Sequence, residues 1–217
     1  MIPIRDTSAP RGFAPATACL IILNLAMFIE EIRLGEQIFH MFRVSPADIA
    51  GYLIVGNTNF LKIHTAILAS GFIHSGYIHL IGNLIFLSVF GPPLEKNLGV
   101  LRFILFYIVA IFAAFYAHTF INPQSSVPVV GASGAIAAVM GAYLILNPKG
   151  RILTLIPLIL LIEIIEVPSI IFILIWFLIQ GVHGYISMHA QSSVAWFSHI
   201  GGFLLGLATG IHYRFSR

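Results

Sequence analysis

The sequence predicts an all-α, polytopic membrane protein, a single bundle of six transmembrane helices. Of its 217 residues, 59% are hydrophobic and only 9% are charged. An ordinary soluble domain is about a quarter charged, so this chain cannot cover a water-facing surface. The mean hydropathy is +0.98. The apolar residues also gather into runs near the ~20 residues that a helix needs to cross a bilayer.

The first span covers 14–28 and reaches Ile32 if Glu30 and Glu31 lie at the interface. Residues 33–75 form a long mixed segment on the outer side, broken by Pro46, Asp48 and 57–59; parts of it, such as 60–72, suit short interfacial helices. Span two runs from Tyr77 to about Pro92, span three from Leu101 to about Phe120. A Pro/Ser loop at 122–130 follows, then span four at 131–146, ended by Asn147 and Pro148. The run 152–165 is strongly apolar but short, holds Pro157 and Glu163, and reads as interfacial or buried rather than spanning. Pro168 opens span five, from Ser169 to about Tyr185; span six covers 194–211. The whole chain, 1–217, is read as one membrane domain with its core at about 14–212.

Charge sets the orientation. With six spans and the N-terminus inside, Arg5, Arg11, Lys96, Arg102, Lys149, Arg151, Arg214 and Arg217 fall inside, eight of the eleven Lys and Arg. Arg33, Arg43 and Lys62 share one outer loop. That is the positive-inside pattern, with both termini cytoplasmic. It accounts for the pI of about 9.2 without nucleic acid, since no basic cluster exceeds two residues. The lone Cys19 rules out an internal disulfide, and the N-terminus shows no removable signal peptide.

This topology brings three polar groups to one side of the membrane: Ser133 at the start of span four, His199 near the start of span six, and His79 with Asn83 near the start of span two. Ionisable groups at membrane depth are costly and mark function by default. Ser133, Ala137 and Gly141 form a ridge of small residues, as do Gly202, Gly206 and Gly210, so spans four and six can approach closely. A serine needs a base to become a nucleophile, and His199 is that base. No Asp or Glu lies nearby, which points to a two-residue dyad. His79 and Asn83, one turn apart, can donate to an oxyanion together with the Ser133 N–H. His74 can orient the outer end of span two. The other histidines sit at span ends or in loops. No metal site is expected: there is no H-E-x-x-H pattern and the carboxylates are remote. No cofactor is expected either.

These residues resemble the rhomboid family of intramembrane serine proteases. The likeness rests on His74-x4-His79-x3-Asn83, Gly131-x-Ser133-Gly134 and His199-x2-Gly202-x3-Gly206. It extends to Gly91-Pro92-x2-Glu95-x3-Gly99-x2-Arg102-Phe103 and covers about 60–210. The resemblance implies a rhomboid-like six-helix fold with a water-accessible cavity open to the outer face. It implies Ser133 as nucleophile, His199 as base, and His79, Asn83 and the Ser133 N–H around the oxyanion, with Gly131, Gly134 and Gly202 in support. Substrates would be membrane proteins with a transmembrane helix, cut near the outer surface of the lipid bilayer. Span five, with Phe172 and Trp176, resembles the element proposed to gate lateral admission of substrate. Ala137 stands where many members carry an aromatic that stacks on the histidine, and the first loop lacks the family's Trp-Arg pair. Two other functions fit the composition: an inactive rhomboid-like protein that binds membrane clients, and a small transporter. The polar cluster stops near mid-depth, where Leu84, Ile85, Phe86 and Leu87 follow Asn83, which disfavours a pore. A bare core with short tails resembles prokaryotic inner-membrane members.

Overall fold

The computed structural model describes residues 1–9, 12–35, 37, 41–56, 58–157, 162–189 and 194–216. Arg11, Asn57 and Arg217, used above, lie outside the described residues, as do His40, 158–161 and 190–193.

Residues Pro15–Leu34 form α1. Two short helices follow in the long loop, α2 at Pro46–Val55 and α3 at Phe60–Ser70. Then come α4 at Tyr77–Leu98, α5 at Val100–Ile121 and α6 at Ser133–Leu146. The helices α7 at Ser169–Ser187 and α8 at Trp196–Phe215 complete the series. Four of these, α1, α4, α5 and α7, are long and apolar enough to cross a membrane. The helix α6 has only 14 residues, about 21 Å at 1.5 Å per residue. Glycines, two histidines and Arg214 dilute the hydropathy of α8.

Pro46 and Asp48, read above as breakers, instead start α2. Ser45 caps it, Pro46 occupies the first turn, and the Asp48 carboxylate accepts the Ser45 N–H at 2.9 Å while Ser45 Oγ accepts the Asp48 N–H at 3.2 Å. This is the reciprocal capping box. Span two also runs further than expected: α4 absorbs Pro92 and Pro93 and ends at Leu98, with Gly99 as its C-cap. Glu31 is buried within the protein, and its carboxylate accepts the His74 N–H at 3.0 Å.

The all-α expectation is corrected by a three-stranded antiparallel sheet in the order β1-β2-β3, formed by Ile2–Asp6, Arg151–Pro157 and Ile162–Pro168. The ambiguous run 152–165 therefore supplies two paired strands, with Arg151 opposite Pro168 and Pro157 opposite Ile162. The physical reason is composition. Ile152, Thr154, Ile156, Ile164, Ile165 and Val167 are β-branched, stiff at χ1 and suited to a pleated surface. Ile152 and Thr154 point inward and are fully buried, a period of two. Asp6, at the end of β1, accepts a hydrogen bond from Tyr143 Oη of α6 at 2.6 Å and so ties the sheet to the bundle.

The centre of the molecule is α6, buried continuously from Gly134 to Tyr143. It packs against α4, α5, α7 and α8. The helices α4, α6 and α8 begin at one end of the bundle; the sheet lies beyond the C-terminal end of α6.

Candidate active site

Small residues decide how closely α6 and α8 pack. A Cβ on Gly202 would overlap the Gly134 carbonyl oxygen, and one on Gly206 would overlap that of Ala138. A Cβ on Gly210 would crowd the Ala142 carbonyl at 3.1 Å. The ridge on α6 that meets α8 is thus Gly134, Ala138 and Ala142, one residue on from the expected Ser133, Ala137 and Gly141. Gly141 still joins the contact, facing the Phe203 carbonyl. The shift turns Ser133 away from the helix seam and into a cavity.

That cavity measures about 1010 Å³ and is lined by Ser133, His199, His79, Asn83, Gln180 and Trp176, with Phe86 and Met140 among its apolar walls. His199 Nε2 lies 2.7 Å from Ser133 Oγ, although the two are 66 residues apart in sequence. His199 Nδ1 lies 2.8 Å from Gln180 Oε1. The Gln180 amide nitrogen donates to the Trp176 carbonyl of its own helix at 3.1 Å. The ring of His199 is flanked by Trp196, edge-on at 5.8 Å, and by Trp176 at 6.1 Å.

His79 and Asn83 face the start of α6. The Ser75 N–H donates to His79 Nδ1 at 3.4 Å, and Ser75 Oγ lies 3.1 Å from the same atom. This leaves His79 Nε2 for the cavity side. Asn83 is buried, and its amide nitrogen has no hydrogen-bond partner among the described residues. Gly131 makes this approach feasible on two counts. Its φ of 111° lies where side chains are rarely tolerated. A Cβ there would also stand 2.6 Å from His79 Nε2. Its N–H is anchored to the Ser70 carbonyl at 2.9 Å. Ser133 is the first residue of α6, so its own N–H has no acceptor within the helix.

His74 sits outside the long helices, in the connection before α4, and is buried. Its ring meets that of His79 edge-on at 5.1 Å. Burial, then the neighbouring His79, pushes its pKa down to about 4. His64 packs on Phe60 and lies 2.9 Å from Tyr116 Oη, while His183 stacks on Trp196 at 4.6 Å. Neither reaches the serine's neighbourhood.

A hydroxyl hydrogen-bonded to an imidazole can pass its proton to that ring as it attacks. Donors that converge beside it can hold the negative oxygen so formed. A model of the Rhomboid domain matches residues 62–215, and that stretch contains every one of these groups. The chain belongs to the rhomboid family. Among its relatives, mouse rhomboid-related protein 2 is 39% identical over 71 residues, 33% of this chain and 23% of that protein. The YdcA rhomboid protein of Bacillus subtilis is 35% identical over 97 residues, 44% of this chain and 46% of that one. The mitochondrial RHOMBOID-like protein 6 of Arabidopsis thaliana is 34% identical over 79 residues, 36% of this chain and 25% of that one. The matches span less than half the length of each relative. With its apolar helices, this rhomboid is an integral multi-pass membrane protein.

The rhomboid pattern that closes α4 has a structural task here. Glu95 is buried, and its carboxylate accepts from the Ala16 N–H at 3.0 Å and from the Thr17 N–H and Oγ1 at 2.8 and 2.7 Å. It caps the N-terminus of α1, which has no side-chain cap of its own. Gly91 lets α1 close in, since a Cβ there would stand 2.8 Å from Thr17 Cγ2.

Gln180 escaped the reading of the sequence. Its signal was present: a polar residue inside an apolar span, four residues after Trp176 and eight after Phe172, on one helix face.

Proposed function

We propose that this rhomboid is an intramembrane serine endopeptidase. It cleaves transmembrane segments of other membrane proteins near the outer face of the membrane. The observation that carries this reading is the 2.7 Å approach of His199 Nε2 to Ser133 Oγ, inside a cavity that also holds the unpaired Asn83 amide. Ser133 Oγ attacks the scissile carbonyl carbon while His199 Nε2 takes its proton. The carbonyl oxygen, now negative, is held by the Asn83 amide, His79 Nε2–H and the Ser133 N–H. His199 returns the proton to the leaving amine as the C–N bond breaks, giving an acyl-enzyme. Water, deprotonated by the same imidazole, then releases the acid and restores Ser133.

In this reading the chain crosses the membrane six times, with α6 and α8 as the two additional spans. Both termini face the cytoplasm, as the positive-inside rule favours. The site then lies at the outer end, and a prokaryotic inner membrane is the proposed setting. A peptide bond must leave its helix before it can be attacked, so segments weakened by Gly or other helix breakers make better substrates.

The test uses purified protein in liposomes with a single-span substrate. Cleavage by the wild type and none by Ser133→Ala is the expected result. Equal cleavage by both removes Ser133 as nucleophile. Binding of the substrate without cleavage by the wild type favours the client-binding alternative.

A further inference from the structure

We infer that Gln180 is the positioning residue for His199, in the role that a carboxylate fills in a Ser-His-Asp triad. The inference rests on the reading of Ser133 and His199 as nucleophile and base.

The direction of each hydrogen bond in the series Trp176–Gln180–His199–Ser133 follows from its far end. The Trp176 carbonyl can only accept, so the Gln180 NH₂ must be the group that faces it, at 3.1 Å. That orientation turns Gln180 Oε1 toward His199. Oε1 can also only accept, so at 2.8 Å it requires the proton of a neutral ring to sit on His199 Nδ1. Nε2 then carries the lone pair, and the only hydrogen left for the 2.7 Å contact is that of Ser133 Oγ. One backbone carbonyl of α7 thus selects the tautomer in which the histidine can act as a base toward the serine. The opposite tautomer would point an N–H at Ser133 and leave it without a proton acceptor.

Gln180 lines the cavity but is itself only 5% exposed, so its amide bonds are formed in a largely desolvated setting. An amide stabilises the Nδ1–H without placing a fixed charge at membrane depth, where a carboxylate would be costly. With Ala137, buried in the core, standing in place of an aromatic, the Gln180 contact supplies a restraint on the ring. The acceptor rides on α7 and the base on α8, so the two are aligned only while those helices are packed together.

The experiment compares wild type, Gln180→Met, Gln180→Glu and Ser133→Ala in detergent micelles, with two readouts. The first is the rate at which a fluorophosphonate labels Ser133, together with kcat and KM for a transmembrane substrate. Gln180→Met keeps the length and removes the acceptor. It is expected to slow labelling and kcat by about tenfold to a hundredfold, with KM changed less than about twofold. Gln180→Glu keeps an acceptor and is expected to recover most of the rate. The second is the nitrogen-15 NMR spectrum of the His199 ring at neutral pH. The proton should sit on Nδ1 in the wild type and be redistributed to Nε2 in Gln180→Met. Equal labelling rates for wild type and Gln180→Met overturn the inference. So does an Nε2–H ring in the wild type, a measurement that needs no variant to fold. Failure of the wild type to label at Ser133 would instead sink the proposed protease, and the NMR readout would still decide the role of Gln180.

Discussion

Gly202 of α8 lies directly against the carbonyl of Gly134 in α6, with no room between them for even a methyl group. Ser133 precedes one of these glycines by a single residue, and His199 precedes the other by three. The seam that joins the two helices therefore sets the distance between the two polar groups. A substitution at the seam is expected to act on both packing and chemistry. Gly202→Val should lower stability by about 1–3 kcal/mol, the usual cost of overpacking. It should also lower kcat by about 100-fold, because displacing α8 by about 1 Å misaligns His199. Chemical denaturation and Ser133 labelling measure the two effects on the same sample. An unchanged labelling rate in a destabilised variant would show that the seam does not control the pair.

Asn83 offers a cleaner separation of binding from chemistry. Its amide is buried without a partner, so Asn83→Ala removes no ground-state hydrogen bond visible in the fold. The loss should appear in the transition state alone. The expected outcome is a fall in kcat of about 10²–10³, with KM and thermal stability nearly unchanged. Steady-state kinetics on a transmembrane substrate test it, and a rise in KM with kcat unchanged would place Asn83 in substrate binding instead.

Glu95 should matter to stability and not to catalysis. Removing its carboxylate leaves the Ala16 and Thr17 donors buried and unpaired. Hydrogen bonds to a charged group are worth about 1.5–3 kcal/mol each, and they do not add fully. Glu95→Ala is expected to cost about 3 kcal/mol in denaturant unfolding. The surviving folded fraction should label Ser133 at the wild-type rate.

His74 predicts a dependence of stability on pH. Burial and the adjacent His79 hold its pKa at about 4, below the 6.5 of a free histidine. Between those values the unfolded chain binds a proton that the folded chain does not, so stability rises with pH across that window. Its contribution is complete above about pH 6.5 and is lost progressively as the pH falls toward 4. Melting temperatures of the wild type should fall over this range more steeply than those of His74→Gln. Parallel curves for the two proteins would rule His74 out as the source.

The residues that the sequence singled out are drawn together by the fold, but not by the contacts its spacing suggested. The ridge of Ser133, Ala137 and Gly141 was legible as a run of small side chains, yet a shift of one residue, about 100° around a helix, decides which face meets α8. The connection before α6 was legible as a Pro/Ser loop, with Gly131 opening the span after it. The reason only glycine suits position 131, a ring from another helix occupying the space of its Cβ, was not. Pro46 and Asp48 looked like interruptions, whereas Asp48 forms a capping box with Ser45 and Pro46 occupies the first turn of the helix it opens. The strands at 151–168 were hidden because a short apolar run satisfies helix and strand equally by hydropathy, and their partner β1 lies at the far end of the sequence.

By itself, then, the order of amino acids determined a membrane-embedded bundle and family membership, together with the polar residues that its apolar runs cannot absorb cheaply. These are properties of composition and local spacing, because transfer into lipid is scored residue by residue. What the tertiary structure alone decided was direction: which way Ser133 turns, which nitrogen of His199 faces it, and that Gln180 holds the other. Hydrogen bonds are angular and short, so they depend on the relative rotation of helices, and no linear pattern records that rotation.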